Sequence, residues 1–216
     1  RLISSAWKAT TSGGSTGRPK LIVSGDPAAL DPNAPVPLLM DPGGCLVMPG
    51  PLYHNGPAVW SCHAWLHGLH VVLLPKFDAE ETLRAIEEHQ GSVLYMVPTM
   101  MKRILRLPDD VRLKYDLSSL RVVWHLAEPC PEWLKQAWID WLGAERIFEL
   151  YAGTEAQTAT TISGVEWLAH RGSVGRVIPG TVKITAENGD EMPVGEMGEV
   201  WMRSLRETPT YRYVGA

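Results

Sequence analysis

The sequence predicts an α/β fold of mixed sheets with packed helices, together with a β-rich C-terminal portion. Short apolar runs are bounded by Gly, Pro or Asp, and the segments between them repeat apolar residues at spacings of three and four. After about residue 172 the pattern changes to short strand-like pieces joined by Gly, Asn and Asp turns. Since 45% of the 216 residues are hydrophobic, the chain can bury a substantial core, and we expect a soluble globular protein.

Strands and helices alternate along the predicted chain. The second predicted helix has clear ends, because Asp78 can cap its start, Glu81 stands three residues later and Gly91 follows its end. Apolar runs predict strands over residues 21–23, 45–48, 71–74, 93–97, 120–124 and 146–150, and then 181–186 and 198–203. Helical spacing predicts helices over residues 58–69, 79–89, 99–105 and 132–142.

A turn rich in glycine and hydroxyl side chains comes directly before the first strand. Glycines let backbone N–H groups close around anionic oxygens, hydroxyls add donors, and Lys20 supplies a positive charge. The turn is not a Walker P-loop, because Arg18 and Pro19 follow Gly17 where that motif needs Lys and Ser or Thr. A solvated turn before a strand is the alternative. The candidate phosphate-binding residues are Ser12, Gly13, Gly14, Ser15, Thr16, Gly17 and Lys20.

Residues 12–20 resemble the phosphate-loop signature of the adenylate-forming superfamily, which includes acyl-CoA synthetases, luciferases and nonribosomal-peptide adenylation domains. Gly13 departs from it, since many members carry Ser or Thr there. Residues 51–57 are similar to the family segment whose histidine or aromatic residue borders the acyl pocket. This resemblance implies acyl-substrate contacts for His54 and Asn55.

Two later segments extend the resemblance. Residues 126–131 are similar to the loop that borders adenine, which implies ATP contacts for Ala127, Glu128 and Pro129. Residues 151–155 follow the family pattern Tyr-Gly-x-Thr-Glu, with alanine in place of the first glycine. Taken alone, this segment would be an ordinary junction between a strand and a loop.

The chemistry of residues 151–155 suits a nucleotide. A tyrosine face can stack on adenine, a threonine hydroxyl can reach the α-phosphate, and a carboxylate can hold Mg²⁺ together with phosphate oxygens. The resemblance implies ATP contacts for Tyr151, Ala152, Gly153 and Thr154, catalytic roles for Lys20, Thr154 and Glu155, and Mg²⁺ at Glu155.

The resemblance spans nearly the whole chain and is greatest to fatty-acid and related acid–CoA ligases. It implies an enzyme that uses ATP, Mg²⁺ and coenzyme A to activate a carboxylic acid as its acyl adenylate and to form the thioester. Residues 1–171 would be a partial ATP- and acyl-binding core, and residues 172–216 a β-rich portion of the same large domain. Because the domain with the family's catalytic lysine is absent, we expect the isolated chain to be inactive.

Other functions stay open or are disfavoured. A non-catalytic nucleotide-binding module, or another adenylate-forming enzyme, would also explain the motifs. His63, His67 and His70 fall at helical spacing beside Cys62 and could bind a metal, although the glutamate of a HExxH protease is missing. A net charge of −4 and the lack of a long apolar run predict no nucleic-acid partner and no transmembrane segment. No secretory leader is visible in the sequence, which predicts a cytoplasmic location.

Overall fold

The structure, a computed structural model, describes residues 3–11, 20–31 and 33–215. The chain forms two compact units. The first takes in the described parts of Arg1–Leu30, Tyr151–Thr160 and Gly175–Ala216, and the second takes in those of Asp31–Leu150 and Thr161–Val174. The predicted boundary between an ATP- and acyl-binding core over residues 1–171 and a β-rich portion over residues 172–216 stays a prediction.

The described residues form the following elements. The strands are β1 (Ala9–Thr11), β2 (Leu21–Ser24), β3 (Cys45–Met48), β4 (His70–Leu73), β5 (Val93–Met96), β6 (Val122–Leu126), β7 (Ile147–Ala152), β8 (Ala159–Ser163), β9 (Val182–Thr185), β10 (Glu199–Met202) and β11 (Tyr211–Val214). The helices are α1 (Asn55–Leu66), α2 (Ala79–His89), α3 (Pro98–Leu105), α4 (Asp109–Arg112), α5 (Glu132–Leu142) and α6 (Gly164–Ala169).

The predicted α/β fold is confirmed, and so are the bounds of β3, α2 and α5. Asp78 caps α2 by accepting hydrogen bonds from the backbone N–H groups of Glu80 and Glu81. The prediction for α1 was wrong by three residues at each end. Pro57 is tolerated in its first turn, because N–H groups there have no partner within the helix. Helix α6 was not predicted from the sequence, and a capping box of Ser163 and Glu166 begins it.

A six-stranded sheet in the order β4-β3-β5-β6-β7-β8 forms the centre of the second unit. The pairs from β4 to β7 are parallel. Helices cover both faces, which explains why the strands are continuous apolar runs instead of alternating ones. One buried cluster contains Leu83, Leu134 and Trp138, and the other contains Trp60 and Trp124.

Antiparallel strands form the first unit. In a three-stranded sheet, β2 lies between β1 and β11, and Ile22 pairs with both Thr10 and Tyr213. A separate antiparallel pair joins β9 and β10. After residue 172, the described residues contain strands and no helices, as the β-rich pattern predicted. No helix in the described ranges is long and apolar enough to span a membrane.

Candidate functional site

Lys20 and Glu155 meet at one tyrosine in the first unit. The ammonium Nζ of Lys20 lies 5.0 Å from the centre of the Tyr213 ring, as a cation–π contact requires. The hydroxyl of the same tyrosine donates a 2.8 Å hydrogen bond to Glu155 Oε1. Two predicted catalytic residues that are far apart in the sequence are therefore neighbours of a third side chain.

The three-stranded sheet brings these side chains together. Lys20 comes immediately before β2, and Tyr213 on β11 pairs with Ile22, two residues further along β2. Since side chains at i and i+2 point to the same face of a strand, Lys20, Ile22 and Tyr213 share one face. The ring of Tyr211, on that face too, packs against Tyr213 with centroids 5.0 Å apart.

The Tyr213 hydroxyl is a hydrogen-bond donor over the whole physiological pH range. The carboxylate of Glu155 accepts a hydrogen bond from the Tyr213 hydroxyl, and this bond, together with some burial and the nearby negative charge, raises the pKa of Tyr213 to about 12. The phenol therefore stays protonated, and the carboxylate is the acceptor.

Glu155 lies in a turn that glycine keeps open. The N–H of Ala156 donates to the carbonyl of Gly153 at 3.1 Å, which closes the turn around residues 153–156. A Cβ atom at Gly153 would stand 3.1 Å from Glu155 Oε2, closer than most side-chain contacts. The glycine thus leaves room beside the carboxylate oxygen that does not bind Tyr213, which is the kind of space a cation or phosphate group needs.

Neither Tyr213 nor Lys8 was predicted from the sequence as a site residue. Burial lowers the pKa of Lys8, while the charges of Asp26 and Glu155 act in the opposite direction. Lys8 precedes β1, and its carbonyl accepts a hydrogen bond from Ser24 of β2. The lysine before β1 was visible in the sequence, but its proximity to Glu155 depends on strand pairing that no local pattern reveals.

The predicted acyl-contact residues lie at the start of α1 in the second unit. His54 occupies the position before the helix without a side-chain capping bond, and its ring lies 4.7 Å from that of Tyr53. Asn55 is the first helical residue. Glycine is required at the next position, because a Cβ atom on Gly56 would collide with the buried hydroxyl of Tyr95.

The predicted adenine loop follows β6 in the same unit. Ala127 has a φ of 72°, a left-handed conformation that favours glycine. Glu128 Oε2 accepts hydrogen bonds from the backbone N–H of Thr99 at 3.0 Å and from its hydroxyl at 2.8 Å. The Glu128 side chain thus satisfies the first turn of α3, and Pro129 continues the exposed loop.

A buried charged cluster lies between β6, β7 and α5. Lys135 Nζ is 2.6 Å from Glu149 Oε2, and their side chains are 1% and 11% exposed. His125 Nε2 lies 4.0 Å from the same oxygen, and neither ring nitrogen has a hydrogen-bond partner among the described residues. Burial and the charge of Lys135 lower the pKa of His125 to about 3, so the imidazole is neutral.

The predicted site residues fall into three groups. Lys20 and residues 151–155 belong to the first unit, whereas His54, Asn55 and residues 127–129 belong to the second. Ser12, Gly13, Gly14, Ser15, Thr16 and Gly17 lie outside the described residues.

The alternative metal site is not assembled. His63 is in α1, the Nδ1 atom of His67 lies 2.8 Å from the His63 carbonyl, and His70 is on β4. Within residues 3–11, 20–31 and 33–215, no group of three His, Cys, Asp or Glu side chains could hold a metal ion.

Comparison with known proteins gives consistent matches. A family profile described as "AMP-binding enzyme" matches residues 10–211. The chain is 32% identical over 164 residues to "Medium-chain acyl-CoA ligase ACSF2, mitochondrial" of Mus musculus, which covers 73% of this chain and 26% of that protein. The chain thus spans about a quarter of the length of this curated relative.

Solved structures share the fold. The amide bond synthetase McbA from Marinactinospora thermotolerans superposes with a TM-score of 0.63 at 29% identity, covering 76% of this chain and 33% of that one. The O-succinylbenzoate coenzyme A synthetase from Bacillus subtilis, in complex with ATP and magnesium ion, gives a TM-score of 0.70 at 20% identity. The match covers 96% of this chain and 42% of the synthetase chain. At 20% identity, the similarity concerns the fold alone.

Proposed function

Because the chain belongs to the family of AMP-binding enzymes, we propose that it carries the ATP-binding half of an ATP-dependent acid–CoA ligase. The observation that carries this proposal is the meeting of Lys20 and Glu155 at Tyr213. A cation and an anion held apart by a neutral side chain suit a triphosphate and its Mg²⁺ ion, since one binds the phosphates and the other binds the metal.

The proposed reaction has two steps. A carboxylate oxygen of the acid bonds to the α-phosphorus of ATP, the α–β phosphoanhydride bond breaks, and pyrophosphate leaves. The thiolate of coenzyme A then bonds to the acyl carbon, and AMP leaves with the electron pair of the broken anhydride bond. The products are the acyl thioester, AMP and pyrophosphate.

The residues of the chain would act mainly through charge and orientation. The Lys20 ammonium would bind phosphate oxygens, together with backbone N–H groups and hydroxyls of residues 12–17. The Thr154 hydroxyl would orient the α-phosphate, and the Tyr151 ring would stack on adenine. Glu155 would hold Mg²⁺, for which the space beside Gly153 is suitable. When bound, Mg²⁺ supplies positive charge that offsets the charge of the phosphates.

The remaining contacts are proposed from the family resemblance alone. Ala127, Glu128 and Pro129 would border adenine, and His54 and Asn55 would border the acyl group. The resemblance favours fatty-acid metabolism, with the acid itself left open. Residues 1–171 would form the partial ATP- and acyl-binding core. Because the chain spans about a quarter of the length of its curated relative, the activity is proposed for the intact polypeptide, and we expect the isolated chain to be inactive.

The test is acid-dependent exchange of labelled pyrophosphate into ATP by the intact polypeptide that contains this chain. A panel of medium-chain, long-chain and aromatic acids should include at least one that drives exchange, and coenzyme A should then yield its thioester. Glu155→Gln should lower exchange by about a hundredfold and alter its Mg²⁺ dependence. ATP binding without exchange for any acid would instead indicate a non-catalytic nucleotide-binding module.

The acceptor in the second step is a separate question, because one structural relative is an amide bond synthetase at 29% identity. Parallel reactions with coenzyme A and with a simple amine decide between the two acceptors. Thioester formation supports the ligase. Exchange followed by amide formation alone would keep the adenylation step and contradict the proposed transfer to coenzyme A.

A further inference from the structure

We infer that Tyr213 is a positioning residue for the adenylation site, a role that rests on the proposed function. Its hydroxyl binds Glu155 Oε1 at 2.8 Å, and its ring lies 5.0 Å from Lys20 Nζ. One side chain thus contacts both the residue assigned to Mg²⁺ and the residue assigned to phosphate. Tyr213 itself has no assigned contact with either ligand.

The hydrogen bond selects the orientation of the carboxylate. Because Tyr213 donates to Oε1, the second oxygen, Oε2, is the one that lies over Gly153. A neutral donor leaves the negative charge of the carboxylate in place, whereas a lysine or arginine partner would neutralise it before a metal arrived. Tyr213 therefore orients Glu155 without competing electrostatically with Mg²⁺.

The ring has a separate effect on Lys20. A cation over an aromatic face is attracted by the ring quadrupole, which holds the ammonium without adding a counter-ion. Pairing of Tyr213 with Ile22 fixes the ring, and Tyr211 supports it by an edge contact at 5.0 Å. The effects of the hydroxyl on Glu155 and of the ring on Lys20 lead to different expected results, so they can be tested separately.

Tyr213→Phe removes the hydroxyl and keeps the ring. In the intact polypeptide, we expect the Mg²⁺ concentration for half-maximal pyrophosphate exchange to rise about tenfold, because a hydrogen bond to a charged group is lost. The KM for ATP at saturating Mg²⁺ should change little. Tyr213→Ala also removes the ring below Lys20 and should raise that KM as well.

A matched control exists in the second unit. The hydroxyl of Tyr115 also donates to a carboxylate oxygen, Glu80 Oε1, at 2.8 Å, and neither residue is assigned to the reaction. Tyr115→Phe should leave the Mg²⁺ dependence unchanged. A general loss of stability from removing a tyrosine hydroxyl would affect both variants, so only a specific positioning role separates them.

A double-mutant cycle tests whether Tyr213 acts through Glu155. In a Glu155→Gln background, Tyr213→Phe should have no further effect on the Mg²⁺ dependence. An effect of Glu155→Gln without any effect of Tyr213→Phe would overturn the positioning role and leave the proposed function intact. An unchanged Mg²⁺ dependence in Glu155→Gln would overturn the proposed function, and the positioning role with it. Equal effects of Tyr213→Phe in the wild-type and Glu155→Gln backgrounds would also overturn the positioning role.

Discussion

Lys135 Nζ lies 2.6 Å from Glu149 Oε2 in the interior of the second unit, where a charged group needs a partner. Glu149→Gln would leave the Lys135 ammonium buried without its counter-charge. We expect the free energy of unfolding to fall by about 3 kcal/mol, measured by urea denaturation of the purified protein. The loss comes from desolvation of the remaining charge, not from the strength of the pair itself.

Replacing both partners provides the control. The double variant Lys135→Met, Glu149→Leu removes both charges and should recover most of the lost stability. At the exposed pair of Lys114 and Glu80, the change Glu80→Gln should leave the denaturation midpoint nearly unchanged. A double variant as unstable as Glu149→Gln alone would show that packing, and not charge burial, is the main contribution of these side chains.

His125 should make the protein sensitive to mild acid. Its pKa in the folded state is about 3, against an ordinary value of 6.5, because burial and the charge of Lys135 disfavour the imidazolium. Between these two values the unfolded chain binds a proton that the folded chain does not. The free energy of unfolding therefore falls as pH drops below about 6.5, by at most about 1.4 kcal/mol per pH unit.

The variant His125→Leu isolates this contribution. Urea denaturation at about pH 7 and about pH 5 should show a larger loss of stability on acidification in the wild type than in the variant. His170, which is exposed, serves as the control, and His170→Leu should keep the wild-type slope. Identical slopes in the wild type and His125→Leu would mean that His125 becomes protonated in the folded protein.

Local sequence patterns could predict the elements of this fold, but not the contacts between distant ones. The Asp78 cap and the apolar run of β3 depend on neighbours in the chain, and both were predicted correctly. Tyr213 reaches Glu155 only because β11 pairs with β2, a long-range register. The burial of Lys135 could not be predicted either, since a lysine in an amphipathic helix is usually expected on the solvent side.

Ala127 carries backbone strain that glycine would relieve. A φ of 72° costs an alanine about 1–2 kcal/mol, whereas glycine adopts it freely and loses somewhat more entropy on folding. Ala127→Gly should therefore raise the free energy of unfolding by about 0.5–1 kcal/mol. Ala169→Gly, at an exposed residue at the end of α6, should not raise the free energy of unfolding. An increase in both variants would contradict the explanation by backbone strain at Ala127.

Gly153→Ala should weaken Mg²⁺ activation while leaving the fold nearly intact. The new methyl group would stand 3.1 Å from Glu155 Oε2, so the carboxylate must move by a few tenths of an ångström and disturb its bond to Tyr213. Because the displaced atoms end a flexible side chain, stability should change little, but the Mg²⁺ concentration for half-maximal pyrophosphate exchange should rise roughly fivefold.

Gly189→Ala gives the opposite pattern, since its methyl group enters open space at a φ of 90°. It should lower stability without changing Mg²⁺ activation, and equal Mg²⁺ dependence in the two variants would mean that the space beside Glu155 has no part in binding the metal.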